Sequence, residues 1–118
     1  MDSDELGERF LEFALQIGFI VRALGNDTIS VQVATQLAKS GTSPGPNYQE
    51  ACACESRKDF IHKLSIVLKE LRESRFWLRY ILRLDLLAHV QVAPVVDECE
   101  QLNRIIGKSI VTAKRNAR

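Results

Sequence analysis

Hydrophobic residues recur at steps of three and four along the first segment of the chain, from about Asp4 to Leu24. This spacing places the apolar side chains in one stripe on an amphipathic helix. Asp2 or Ser3 is expected to cap its start, and Gly25-Asn26 to end it. The stripe consists of Leu6, Phe10, Phe13, Ile17, Ile20 and Leu24.

The second segment begins near Thr28, the expected N-cap, and carries Ile29, Val33, Leu37 and Gly41 on one face. Its β-branched residues leave a strand open over Ile29–Val33, but the run that continues to Lys39 favours a helix. The prolines of Pro44-Gly45-Pro46 predict a kink or break. A short helix over Asn47–Cys54 would follow, so we expect Ser43, Asn47 and Glu50 to act as structural caps at the break.

The third segment is the longest, from about Arg57 to Leu87, with Ser56 and Asp59 as its expected cap pair. At ~1.5 Å per residue such a helix would span ~45 Å, which suggests a rod-shaped molecule. Its stripe consists of Phe60, Leu64, Val67, Leu71, Leu78 and Leu82, with Ile61, Leu68 and Ile81 beside it.

The fourth segment follows a connection at residues 89–91, and Pro94 fits the first turn of its helix. Four stripes joined by short connections predict an all-α, up-down antiparallel four-helix bundle with a kinked or broken second helix. We expect residues 1–118 to form one domain. The fourth stripe consists of Val92, Val96, Cys99, Leu102, Ile106, Ile110 and Ala113.

Composition excludes a disordered chain and a bulk polycation, because 46% of the 118 residues are hydrophobic and the net charge is +1. The charge is nevertheless divided. Residues 1–55 carry eight acidic and three basic side chains, and residues 56–118 carry seven and thirteen. The division indicates either a basic binding face or complementary helices that pair within the fold or between subunits. The near-neutral total favours pairing.

Three cysteines, an acidic N-terminus without an apolar run of signal length, and no apolar stretch of ~18 residues predict a cytoplasmic protein that does not enter the membrane. No nucleotide-binding glycine loop, His-Glu-x-x-His motif or nucleophile elbow occurs. The spacing of Cys52-x-Cys54 is too short for a structural zinc site. We therefore predict no catalytic residue, no metal and no cofactor.

The two histidines of the sequence, and the neighbouring carboxylates Glu70 and Glu73, are interpreted without catalytic roles. His62 lies beside the third stripe and His89 in the last connection. Glu70 and Glu73 interleave with basic side chains, which favours intrahelical ion pairs.

A basic stripe on the third helix is the strongest candidate for binding. Its members fall within a narrow arc beside the apolar stripe, and Phe76 lies among them. One interpretation is a face that binds phosphates with an aromatic for stacking. The other, favoured for a bare pattern, is a solvated or ion-paired flank that faces the acidic first helix of the same or a neighbouring chain. The basic stripe consists of Lys69, Arg72, Arg75, Arg79 and Arg83.

Several segments resemble one bacterial protein family. They are Gln36–Ser43, Asn47–Ala51, Ser56–Ile66, Leu68–Glu70 and Glu73–Leu78. The chain resembles, from Phe10 to Asn116, the four-helix-bundle family that includes proteins encoded by intervening sequences in large-subunit ribosomal RNA genes.

The resemblance implies an up-down bundle, a homopentameric barrel of side-by-side bundles and no established enzymatic activity. Some relatives accompany the reverse transcriptase of diversity-generating retroelements and are considered nucleic-acid binders. Ser43, Asn47 and Glu50 match polar positions at the helix-two break, and Glu70, Glu73 and Trp77 match the third-helix signature. Pro44-Gly45-Pro46 departs from the family pattern and implies a different local bend.

These observations predict a non-enzymatic, self-assembling scaffold or interaction module, with Phe76 and Trp77 at the oligomer interface. Its partner would be a second copy of itself, and a further protein partner remains open. The alternative is a nucleic-acid-binding accessory protein that contacts RNA or DNA through the basic stripe, extended by Lys114, Arg115 and Arg118.

Overall fold

A computed structural model describes residues 1–116, and helices occupy most of them. The helices are α1 (Ser3–Ala23), α2 (Thr28–Thr42), α3 (Pro44–Ala53), α4 (Arg57–Arg83) and α5 (His89–Asn116). α2 and α3 form one bent arm, so the chain makes four passes along a rod of 50 × 22 × 21 Å. The all-α bundle with a broken second helix, predicted from the sequence, is confirmed.

The helices surround a single core in cyclic order. The α2–α3 arm packs against α1 and α4, and α5 packs against α4 and α1. α1 and α4 therefore occupy diagonal corners of the bundle, and both run in the same direction. Most residues of the predicted stripes form the core, but Ile29 of α2 is exposed and Ser30 is buried in its place. Val95 is buried in α5 where Val96 was expected, and Leu24, Phe60 and Leu82 are only half-buried.

Side chains cap the helix starts. Asp2 accepts a hydrogen bond from the Glu5 amide (2.8 Å), and Ser56 accepts one from Asp59 (3.1 Å). At α2 the cap is Asp27 and not Thr28, because Asp27 stays extended and its carboxylate accepts from the Ser30 amide at 3.0 Å. The hydrogen bond from the Ser30 amide holds the pKa of Asp27 below its usual range.

The connection between α2 and α3 is shorter than the prolines predict. Only Ser43 separates the helices, and it keeps helical dihedral angles. Pro44 opens α3, where a missing N–H costs nothing because the first turn has no intrahelical acceptor. Asn47 is therefore not the N-cap that the sequence predicts. It lies inside α3, and its side-chain Nδ2 donates to the Ser43 carbonyl oxygen and to the Ser43 hydroxyl oxygen, each at 3.0 Å.

Glu50 and Ser43 also differ from their predicted capping roles. Glu50 accepts a hydrogen bond from Lys63 of α4 at 2.9 Å and does not complete a capping box. Ser43 occupies the cap position of α3, but its hydroxyl accepts a hydrogen bond only from the Asn47 side chain and caps no backbone N–H of that helix. The bend is thus held by Asn47 and by the prolines of the first turn.

The end of α4 and the start of α5, which flank the last connection, differ from the predicted positions. α4 ends at Arg83, because Asp85 adopts a left-handed backbone (φ 56°) and the Leu86 amide donates to the Ile81 carbonyl at 3.0 Å. This pattern is a Schellman motif with Asp where Gly is usual. α5 begins at His89, so Pro94 lies inside the helix. The carbonyl it leaves without a donor belongs to Val90, which is 83% exposed to water.

Two small residues let α2 approach its neighbours closely. A Cβ atom on Gly41 would lie 2.6 Å from a side-chain carbon of Ile17 in α1. The Ser40 hydroxyl lies 3.0 Å from that of Ser74 in α4. Ile17, the Ser40–Gly41 pair and Ser74 therefore lie at one level along the bundle.

Candidate interaction surfaces

The outward side of α4 is basic and aromatic, and we call it the α4 surface. It points away from the core residues Leu71 and Leu78. Its arginines and lysine are exposed in the single chain, and Phe76 is 58% exposed. The α4 surface consists of Lys69, Arg72, Phe76, Arg79, Tyr80 and Arg83.

Three aromatic rings cluster on this helix. Phe76 meets Trp77 edge to face, with centroids 4.9 Å apart, and Tyr80 lies 5.7 Å from Trp77. Trp77 is half-buried against the core of its own chain. Its indole Nε1 is buried and has no hydrogen-bond partner among residues 1–116. Of the two predicted interface residues, Phe76 is exposed and Trp77 is half-buried, and their place at an interface stays a prediction.

Arg75 differs from the rest of the basic stripe. Its Nε lies 3.8 Å from Glu100 of α5, and the other stripe members make no ion pair with the described residues. Because α1 and α4 lie diagonally, the stripe does not face the acidic first helix of its own chain. The interpretation that the stripe faces the first helix of the same chain is therefore wrong, and pairing with the first helix of a neighbouring chain stays a prediction.

An open notch of about 510 Å³ lies between α4 and α5. Arg72 and Arg75 line one wall, and Arg104 and Asn103 line the other. Arg104 was not predicted from the sequence, because it comes close to the basic stripe only when α5 packs against α4. Lys114 and Arg115 are exposed at the end of α5, and Arg118 lies outside the described residues.

α1 carries a second apolar stripe, which the sequence analysis also missed. Leu11, Leu15 and Phe19 lie opposite its buried stripe and are 54%, 50% and 58% exposed. The four-residue spacing of these side chains is visible in the sequence, but the buried stripe alone was sufficient to predict the helix. Glu8 and Glu12 are exposed beside these residues. We call this set of five the α1 surface.

The ion pairs of the chain do not neutralise its divided charge. Lys63–Glu50 joins the basic half to the acidic half, as predicted. The Arg9–Glu98 pair also joins the two halves, but here the basic residue belongs to the acidic half and the acidic residue to the basic half. Arg9 Nε lies 3.0 Å from the Glu98 carboxylate. The hydrogen bonds that Arg9 donates to the Glu98 carboxylate raise the pKa of Arg9. The acidic α1 surface and the basic α4 surface thus remain unpaired with each other.

The histidines and cysteines that could carry chemistry are scattered over the bundle. His62 and His89 are exposed at different ends of α4 and α5. Within the described part of the chain, no three metal-ligating side chains converge, and no helix is long and apolar enough to cross a membrane. Cys52 is exposed, whereas Cys99 is buried and donates to the Leu71 carbonyl at 3.2 Å. Burial raises the pKa of Cys99 to about 12.

The comparison with known families gives a match over most of the chain. The sequence profile of the 23S rRNA-intervening sequence proteins matches residues 6–108. The chain belongs to this family. The resemblance stated from the sequence segments is thereby confirmed, and neither the family description nor the fold assigns a reaction to it.

A solved structure shows the same fold. It is a protein of unknown function from the S23 ribosomal protein family of Bacteroides thetaiotaomicron VPI-5482. The two chains are 32% identical and superpose with a TM-score of 0.82. The match covers 89% of this chain and 97% of the other. Among curated proteins, none matches this chain.

Proposed function

We propose that this protein is a non-enzymatic interaction module that assembles with copies of itself, as the homopentamer that the family resemblance implies. The supporting observation is the pair of apolar surfaces on diagonal helices. Leu11, Leu15 and Phe19 on α1 and Phe76 on α4 are each at least half-exposed in the single chain. Clustered large apolar side chains on a monomer surface mark contact sites.

Native mass spectrometry of the intact protein tests this proposal. We expect a species at five times the chain mass of 13.3 kDa. The substitutions Leu15→Glu and Phe19→Glu together should convert it to monomers that keep their helical circular dichroism. Val111→Glu is the matched control, because Val111 is an exposed apolar residue (57%) of α5 and belongs to neither surface. A monomeric wild-type protein at high micromolar concentration would refute the proposal.

A second candidate function is nucleic-acid binding, and the notch between α4 and α5 favours it. Arg104 adds a third guanidinium beside Arg72 and Arg75, and neither Arg104 nor Arg72 has an acidic partner within 4 Å among residues 1–116. Guanidinium groups bind phosphates in a bidentate manner. Assembly would repeat this site once per subunit and raise the avidity.

Fluorescence anisotropy with labelled single-stranded RNA, structured RNA and duplex DNA tests this second candidate. Binding should weaken steeply with salt, because each phosphate contact releases counterions. A variant with Arg72, Arg75, Arg79 and Arg83 changed to Glu should not bind. Arg104→Glu separates the two functions, since it alters the notch without altering either surface. Loss of binding with an unchanged oligomer supports a nucleic-acid site, and no binding even at low salt excludes it.

A further inference from the structure

The notch between α4 and α5 is lined level by level, because the two packed helices run antiparallel and pass through their residues in opposite order. Arg75 lies 3.8 Å from Glu100, so these two residues mark one level. One helical turn takes about 3.6 residues. The next level therefore places Arg72 of α4 opposite Asn103 and Arg104 of α5, and all five residues line the notch.

This second level carries positive charge that no carboxylate of the described chain balances. Neither Arg72 nor Arg104 has an acidic partner within 4 Å among residues 1–116. The positions three and four residues away from Arg72 along α4 hold no acidic side chain. Glu100 lies four residues before Arg104, but its ion pair is with Arg75. Two guanidinium groups on opposite walls are therefore left to bind an anion that enters between them.

The Asn103 side chain, at the same level, is an independent indication of a ligand. Its Oδ1 atom is buried and has no hydrogen-bond partner among residues 1–116. Buried amide oxygens without a donor are rare in folded chains, because the hydrogen bond to water is lost and not replaced. A ligand with a hydroxyl group beside its anionic group would supply the donor, directly or through an ordered water.

Gly107 keeps the notch open one turn further along α5, opposite Leu68. A Cβ atom at Gly107 would meet nothing within 4 Å, whereas one at Gly41 would overlap the Ile17 side chain. Helix packing therefore requires glycine at position 41 but not at position 107. A larger side chain at position 107 would extend into the notch, and the notch volume of about 510 Å³ is in the range of small-molecule sites.

The charge of the notch matches one kind of phosphate better than another. Its three guanidiniums and one carboxylate give a formal charge of +2. A phosphomonoester carries about two negative charges near pH 7 and three terminal oxygens that accept hydrogen bonds. An internal phosphodiester of a nucleic acid carries one charge and is linked on both sides. A terminal phosphate can therefore enter the notch end-on and satisfy both walls.

We propose that the notch binds a phosphomonoester carried on a hydroxyl-bearing molecule, such as the 5′-phosphate of a ribonucleotide. Arg72 and Arg104 bind the phosphate from opposite walls, and Arg75 adds a third positive charge. Glu100 and Asn103 accept hydrogen bonds from hydroxyl groups beside the phosphate. The inference goes beyond the proposed nucleic-acid binding, because it selects a terminal phosphate over an internal one and holds for a chain that binds no internal phosphate.

Isothermal titration calorimetry with matched nucleotides tests the selection of the monoester. Adenosine 5′-monophosphate should bind at least about tenfold more tightly than adenosine 3′,5′-cyclic monophosphate, because the cyclic compound is a diester with one charge fewer. Adenosine, which has no phosphate, should not bind. Inorganic sulfate at the same ionic strength serves as the control for a general effect of anions.

Substitutions in the notch locate the binding site. Arg72→Gln and Arg104→Gln should each weaken binding of adenosine 5′-monophosphate at least about tenfold. Arg22→Gln is the matched control, because Arg22 is an exposed arginine of α1, outside the notch. Gly107→Leu should block binding while all the arginines remain. Gly18→Leu is its control, since a Cβ atom at Gly18 of α1 also meets nothing within 4 Å.

One ligand chemistry has two sources here, a free ribonucleotide and the 5′ end of an RNA. Fluorescence anisotropy compares two RNAs of one sequence, labelled at the 3′ end, with a 5′-phosphate or a 5′-hydroxyl group. Tighter binding of the phosphorylated RNA than of adenosine 5′-monophosphate supports the proposal with an RNA end as the source. Equal binding of the two RNAs, while adenosine 5′-monophosphate binds in the notch, supports it with a free nucleotide as the source.

Three results would overturn the inference. The first is equal binding of the cyclic and the open monophosphate. The second is binding that survives both Arg104→Gln and Gly107→Leu in folded variants. The third is no binding of either phosphomonoester at millimolar nucleotide. Failure of the 5′-hydroxyl RNA to bind at low salt would instead refute the proposed nucleic-acid binding alone, so the two failures are distinguishable.

Discussion

The two sides of α1 differ in what covers them, although both are apolar. The inward side carries Phe10, Phe13 and Ile17, each at most 1% exposed. The outward side carries Leu11, Leu15 and Phe19, each at least half-exposed. The inward side follows the regular three-and-four spacing of a core stripe, whereas the outward side repeats every four residues between charged positions. An amphipathic pattern therefore identifies a core face without excluding a second apolar face that serves another contact.

The largest expected effect comes from making the same substitution on either side. Phe13→Ala should destabilise the fold by about 3–5 kcal/mol, because it removes a fully buried ring and leaves a cavity. Phe19→Ala should change the free energy of unfolding of the monomer by less than about 0.5 kcal/mol. Urea unfolding of both variants, at a concentration where sedimentation velocity shows monomers, measures this contrast. Equal losses would show that the outward side belongs to the core of the single chain.

A second contrast concerns the close contact of α1 with α2. Gly41→Ala should destabilise the fold by about 1–3 kcal/mol, because its Cβ would overlap the Ile17 side chain. Gly107→Ala is the control, since nothing lies within 4 Å of its Cβ position. That substitution should be neutral or stabilise the helix by up to about 1 kcal/mol. Thermal unfolding of the two variants decides whether the α1–α2 contact is as tight as described.

The core stripes were predictable from the sequence, because burial of one helix face imposes a spacing that can be read directly. The helix ends were less predictable. Asp85 ends α4 in a conformation that glycine usually occupies, so no glycine marked the end. The prolines at 44 and 46 mark the predicted break of the second helix, but they lie in the first turn of α3, so α3 begins three residues before the predicted Asn47.

The candidate surfaces were only half-predictable, for a different reason. The basic stripe was visible, since all of its members lie on one helix. Arg104 was not, because it joins the stripe only when α5 packs against α4. The diagonal placement of α1 and α4, which excludes pairing between them within one chain, is likewise a property of the packed bundle.

A smaller effect is expected where α1 meets α5, at the border between its two sides. Arg9 forms a two-pronged, partly buried ion pair with Glu98. Glu98→Gln should cost about 1 kcal/mol, because it removes a charge-assisted hydrogen bond from a partly desolvated arginine. Glu100→Gln, which affects the looser and more exposed pair with Arg75, should cost less than about 0.5 kcal/mol. Urea unfolding at low and high salt compares them, and equal costs would contradict this ranking.

The smallest perturbation is chemical labelling of the cysteines. Exposed Cys52 should react with a thiol reagent at pH 8 within the mixing time, and partly buried Cys54 more slowly. Cys99 should react only on unfolding, because it is buried and its pKa is raised to about 12, so almost none is thiolate. A Cys52→Ser/Cys54→Ser variant isolates Cys99. Rapid labelling of that variant in the native protein would show that the core between α4 and α5 opens readily.

The most direct test of separate roles for the two sides of α1 is the concentration dependence of the urea midpoint. An assembly that forms only from folded chains gains stability with concentration, about 2 kcal/mol per chain over a hundredfold range for five copies. We expect the midpoint of the wild-type protein to rise over this range. That of the Leu15→Glu/Phe19→Glu variant should stay constant. A wild-type midpoint that does not change with concentration would contradict the account.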